Sequence, residues 1–127
     1  MSASELLGDL YESEPPTVNE CELFYVHADE RDGSVTLGFD TRELPSRPRA
    51  EWREKTYNRF EFHLLFSDVT EFQVHGWGPQ EAREVDISAA PGKKIKVALG
   101  RTGSGIHFLA SSMRLASARV YLASDAP

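Results

Sequence analysis

A mainly β domain opened by a short helix is the fold class this sequence predicts, built as a mostly antiparallel sandwich or partly open barrel of about eight strands. Two observations carry that expectation. Phe60, Phe62, Leu64 and Phe66 alternate with polar residues, and the alternation resumes through Phe72 and Val74 after Ser67-Asp68. Period two is the mark of a strand with one apolar and one polar face. Elsewhere, short alternating runs are separated by turn residues such as Asp32-Gly33 and Pro91-Gly92. At 127 residues the chain is expected to be one domain, 1–127, with no internal repeat.

The elements follow in order. Ser2 with Glu5 three residues later fits a capping box, and Leu6, Leu7, Leu10 and Tyr11 share one helical face. An amphipathic helix is therefore expected over 2–12, stopping before Pro15-Pro16 and covering an open end or edge of a sheet. The β domain is expected to span 20–122. Strands at 21–28 and 34–40 flank the Asp32-Gly33 turn, with Val35, Leu37 and Phe39 facing inward. Residues 41–56 hold Pro45 and Pro48, break all periodicity, and read as a long connection with a helical turn near Ala50–Glu54. A hairpin of 58–66 and 69–75 comes next. Strands 84–89 and 94–99 are joined through Pro91-Gly92, a pair suited to the centre of a type II turn. Strands 105–110 and 114–122 complete the domain.

Charge and cysteine usage narrow the classes. Net charge is −6, yet residues 1–40 alone hold ten acids against Arg31. Such an acidic third repels nucleic acid, and it is suited either to steering a basic protein partner or simply to keeping a partnerless surface soluble. Cys21 is the only cysteine, so no intramolecular disulfide forms, and a reducing cytoplasm fits best. The first residues lack the basic start and apolar run of a signal peptide, and no stretch reaches the roughly 20 apolar residues of a membrane span. Cytoplasmic localisation and no membrane partner are the expectations.

Candidate sites are sparse. His27, His63, His75 and His107 are scattered, without metal-ligand spacing. Gly100-Arg-Thr-Gly-Ser-Gly105 lacks the Lys and the following helix of a phosphate loop, and Ser104 is not in a nucleophile elbow. Glu84 and Asp86 share a strand face as an acid–base pair would, although two carboxylates on a polar face are ordinary. Arg42, Arg47, Arg49, Arg53 and Lys55 interleave with Trp52 and Tyr57, and the favoured reading is a surface loop pinned by those two rings. Trp77, between Gly76 and Gly78, either plugs the core or stands exposed as a binding platform. No catalytic residue, metal or cofactor is expected.

One resemblance goes further. Leu6-Leu7-Gly-Asp-Leu-Tyr11, Pro15-Pro16, Gly33-x-Val-x-Leu-x-Phe39, Trp52, Tyr57-Asn58 and Val69 through Gly76-Trp77 resemble the bacterial immunity proteins of polymorphic toxin systems, in the family numbered fifty. That resemblance implies a non-enzymatic cytoplasmic antidote that binds a cognate toxin protein and blocks it by occlusion. Gly76 and Trp77 carry over as motif positions, read as fold determinants. With the charge distribution, Glu20, Glu22, Asp29, Glu30 and Asp32 become the candidate partner-binding residues, on a monomer or weak homodimer that binds no nucleic acid. The alternative is a carbohydrate-binding sandwich that stacks sugars on Trp77 and Trp52.

Overall fold

The computed structural model describes residues 3–76, 84–100 and 105–124. Among them, eight strands form two antiparallel sheets. They are β1 (Glu22–Asp29), β2 (Ser34–Thr41), β3 (Arg59–Ser67), β4 (Thr70–His75), β5 (Val85–Ala90), β6 (Lys94–Leu99), β7 (Gly105–Ala110) and β8 (Ser112–Tyr121). The first sheet has the order β1-β2-β3-β8 and the second β4-β7-β6-β5. Neither closes into a barrel, so the molecule is a sandwich. Every expected strand is present, its ends displaced by no more than two residues.

Alternation places the core. Val35, Leu37 and Phe39 of β2 and Phe60, Phe62, Leu64 and Phe66 of β3 are all buried. They face Val97, Leu99, Ile106 and Phe108 of the second sheet, and the Phe66 and Phe108 rings meet edge to face at 5.4 Å. Phe39 stacks on Phe62 at 5.3 Å and Phe62 on Phe60 at 5.6 Å, a row of rings that Trp52 and Tyr11 continue. Each such side chain removed from water contributes about 1.5–3 kcal/mol.

Three expectations need correction. First, 58–66 and 69–75 are not a hairpin: β3 pairs with β2 and β8, whereas β4 pairs with β7. The turn hands the chain from one sheet to the other. Asp68 takes a left-handed φ of 53°, and the Val69 amide donates to the Gly33 carbonyl instead of to β3. The chain crosses back at Ser111, whose amide donates to the Ser67 carbonyl, so both crossings share one corner. Second, β4 has no buried face. It is a sheet edge that overhangs the core, leaving Phe72 41% and Val74 52% exposed. Third, the N-terminal helix is shorter than 2–12. Helix α1 (Ala3–Leu6) is followed by a 3-10 turn at Gly8–Leu10. A stretch that short is marginal as a helix, and Gly8 weakens it further by about 1 kcal/mol. Leu7, Leu10 and Tyr11 are nevertheless buried, as their spacing required, while Ser2 of the capping box lies outside the described residues.

The long connection holds that segment down. Tyr11 donates its hydroxyl to the Glu43 carbonyl at 2.6 Å, the Arg47 amide donates to the Leu10 carbonyl at 2.9 Å, and the Glu12 amide to Ser46 Oγ at 2.7 Å. A 3-10 turn at Ala50–Trp52, where a helical turn was expected, drives Trp52 to 3% exposure. The β5–β6 loop is one residue longer than a simple type II turn: Gly92 has the positive φ of 77° that such a turn needs, and Lys93 follows at 61°.

Candidate functional site

The five candidate acids all lie along β1, the outer edge of the first sheet, but they do not form one patch. Glu20 ends the 3-10 turn Val18–Glu20 and Glu22 begins β1. Asp29 ends β1, and Glu30 and Asp32 sit in the turn beyond it. Eight residues of extended chain put the two groups about 23 Å apart. Asp29 is partly spoken for, since its Oδ1 accepts the Arg31 and Asp32 amides at 3.0 and 3.4 Å. Glu20, Glu22, Glu30 and Asp32 are exposed.

Between the two acidic ends the outward face carries something sequence reading missed. The β1–β2 register shifts between Leu23 and Tyr25, a β-bulge that leaves Phe24 unpaired. A bulge lets two successive side chains share a face, which regular pleating forbids. Phe24 and Tyr25 thus stand together, with rings 6.3 Å apart and exposures of 48% and 42%. Opposite Tyr25 on β2 lies Gly38, and opposite Gly38 on β3 lies His63. A Cβ on Gly38 would come within 2.9 Å of both His63 Nε2 and Tyr25 Cβ. Its absence lets Tyr25 and His63 lean together across β2 until their rings are 5.5 Å apart. Phe24 meets His63 edge-on at 5.8 Å, and His27 stacks on Tyr25 at 6.2 Å. Ser117 Oγ of β8 and His63 Nδ1 are hydrogen-bonded at 3.1 Å. Two signals in the sequence could have revealed this cluster: adjacent aromatics that break the alternation, and a glycine at an outward position inside an alternating strand.

A charged network adjoins the cluster on the same face. Arg119 grips Glu61 with two hydrogen bonds, Nε to Oε2 at 2.7 Å and Nη2 to Oε1 at 3.1 Å, and its guanidinium lies 4.7 Å from the Tyr121 ring centre. Arg59 is 3.6 Å from Asp40, which also accepts the Tyr121 hydroxyl. That bond, with some burial, holds the Tyr121 proton on and raises its pKa to about 12. The network braces β2, β3 and β8 on the side where Glu22 stands opposite Asp40.

The remaining candidates disperse. Among the described residues no group of His, Cys, Asp and Glu is placed to hold a metal ion. Glu84, Asp86, Lys96 and His107 do line an open depression of about 490 Å³ on the second sheet. Both carboxylates there are exposed, and β6 separates Asp86 on β5 from His107 on β7, so no enclosed acid–base pair is formed. Trp52 lies in the core with Arg49 stacked over it at 5.1 Å, and Tyr57 packs against the same core, which agrees with a loop pinned by its rings. Burial pushes the Cys21 thiol up to about 11, which favours the protonated thiol over the thiolate near neutral pH. Gly76 has a left-handed φ of 67°, a bend that favours glycine. Trp77, Ser104 and most of the Gly100–Gly105 loop lie outside the described residues. Among those that are described, no helix is long and apolar enough to cross a membrane.

No curated protein and no solved structure matches the chain. Its residues 4–121 match the family described as Immunity protein 50, a span that takes in both sheets, the bulged edge strand and the N-terminal segment. The chain belongs to the immunity protein 50 family.

Proposed function

We propose that this chain is a cytoplasmic antidote that binds a cognate toxin protein and neutralises it by occlusion, making and breaking no bonds of its own. Membership of an immunity family over residues 4–121 is the observation that carries this reading. The sandwich supports it as a preformed scaffold that can dock without first ordering itself, which keeps the entropic cost of association low. Glu20 and Glu22 at one end of β1, with Asp29, Glu30 and Asp32 at the other, offer a basic partner two points of electrostatic guidance. Neither cofactor nor nucleic acid has a part, and the chain acts as a monomer or weak homodimer. The carbohydrate reading loses Trp52, whose indole is inside the core.

Co-expression with the protein encoded by the neighbouring reading frame tests the proposal. Cells producing that protein alone are expected to die, cells producing both to grow, and the two proteins to co-elute as a complex in size-exclusion chromatography. Equal death with and without this chain, and no shared peak, refutes it.

A further inference from the structure

We propose that the outward face of β1–β2–β3, centred on Tyr25 and Phe24, is the docking surface for an arginine- and lysine-rich patch on the toxin, with the acids at both ends of β1 as its rim. The inference rests on the antidote reading and adds where binding energy resides. Three observations converge on it. The bulge turns Phe24 to the same side as Tyr25, and Gly38 makes room for Tyr25 and His63 to close over it. Two separate departures from regular β structure therefore assemble one aromatic cluster on a face that the core does not use. That cluster stays open to water, with both aromatic side chains of β1 more than two-fifths exposed. Contiguous apolar surface of this kind, enclosed by polar groups, marks interaction sites.

Chemistry selects the occupant. Glu22 flanks the cluster on one side and Asp29, Glu30 and Asp32 on the other, whereas the bases nearby are already matched by acids, Arg59 by Asp40, Arg119 by Glu61 and Arg31 by Asp29. Open aromatic faces between carboxylates fit guanidinium groups, which stack on rings and take carboxylates in a bidentate fork. Arg119 already shows that pairing within the chain, held by Glu61 above the Tyr121 ring. Exposed aliphatic stems of lysine and arginine would cover Phe24 in the same way.

A second apolar patch, Phe72 and Val74 on β4, is the natural control. Phe72 stacks on Phe108 at 6.1 Å and so extends the core, and because Asp29 and Glu30 line the same depression it tests whether acids beside any exposed ring suffice. A purely structural account also exists for Tyr25: an aromatic ring laid over a strand glycine shields its backbone and stabilises the sheet. Binding and stability separate the two accounts.

Surface plasmon resonance against the purified product of the neighbouring reading frame, with urea unfolding of every variant, supplies both readouts. Tyr25→Ala is expected to weaken binding by about 30-fold or more, mainly through faster dissociation, and Phe24→Ala by about tenfold. Tyr25→Arg, which sets a like charge against the basic partner, should abolish detectable binding while the protein remains folded. Replacing Glu22, Asp29, Glu30 and Asp32 by their amides should slow association about tenfold at low salt and have little effect near 0.5 M salt. Phe72→Ala should bind within about threefold of the wild type. A folded Tyr25→Arg that binds as the wild type does, or a loss of binding confined to Phe72→Ala, overturns this surface and leaves the antidote reading standing. Failure of the wild-type chain itself to bind overturns both.

Discussion

Gly38 shows how one missing side chain can organise a face. A methyl group there would meet the His63 ring, which can swing aside, and Tyr25 Cβ, which is fixed to the backbone of β1. Gly38→Ala must therefore push β1 away from β2 or break the pairing around the bulge. Overpacking of this kind costs about 1–3 kcal/mol. The expected outcome is an unfolding free energy lowered by that amount in urea titration, with weakened hydrogen-exchange protection on the β1–β2 ladder while β5–β6 keeps its own. A variant as stable as the wild type, with unaltered exchange, would mean that the Tyr25–His63 contact does not depend on this glycine. Little of this was legible in the sequence. Inward residues announce themselves by period two, and Val35, Leu37, Phe39 and the β3 phenylalanines are buried as that period requires. Outward residues carry no such constraint. A bulge shifts parity by one position, so Phe24 and Tyr25 change from a core residue and a surface residue into neighbours on one surface. The acids were legible as a composition but not as a geometry, because strand length, not charge count, decides that they stand at opposite ends of β1.

At the scale of elements, single side chains tie together pieces that strand pairing leaves apart. Asn19, just ahead of β1, donates Nδ2–H to the Val85 carbonyl at 2.8 Å and accepts the Val85 amide on Oδ1 at 2.8 Å. Its amide group thereby acts as one extra residue of strand on β5, the edge of the second sheet opposite β4. Asn58 does the same for Ala123 after β8, with bonds of 3.1 and 2.8 Å. Asn19→Asp keeps the shape and the acceptor, but it sets a carboxylate oxygen against the Val85 carbonyl. The loss of one bond and the new repulsion are expected to cost about 1–3 kcal/mol. Amide exchange at Val85 should accelerate more than at the β6–β7 ladder. Unfolding within about 0.3 kcal/mol of the wild type, below the smallest usual worth of a hydrogen bond, would show that the clasp is not formed in solution. Neither clasp could be read from the chain, since an asparagine before a strand is ordinary turn chemistry. The exchange of sheets at Asp68 was hidden for a related reason. Two alternating runs with a short turn look the same whether the second run pairs with the first or with a strand far along the chain.

For the molecule as a whole, the acidic first third meets the core at one end of the sandwich, and alkaline pH should expose the weakness there. Burial raises the Cys21 thiol from 9.0 to about 11, opposed in part by a hydrogen bond with Thr41 and reinforced by Glu20, Glu43 and Asp40. Burial likewise lifts Tyr11 well above its ordinary 10.0, with Cys21 and Glu43 adding to the effect. Tyr121 is held up to about 12, first by its bond to Asp40 and then by burial. In each case the folded chain keeps a proton that the unfolded chain releases at lower pH. Below the ordinary values both states are protonated and the full stability is present; above them the unfolded state binds fewer protons, so stability falls as pH rises. The urea midpoint is therefore expected to be level from pH 7 to about 9 and to decline above that. The Cys21 contribution is spent near pH 11 and that of Tyr121 near 12. Cys21→Ala should begin lower, because a buried sulfur is lost, yet stay level until about pH 10, where the tyrosines take over. A decline that begins at the same pH in Cys21→Ala as in the wild type would place the weakness elsewhere, in exposed amines whose loss of charge at alkaline pH leaves the acidic surface less balanced. Added salt separates those causes, since it screens exposed charges and leaves the proton affinity of a buried thiol nearly untouched.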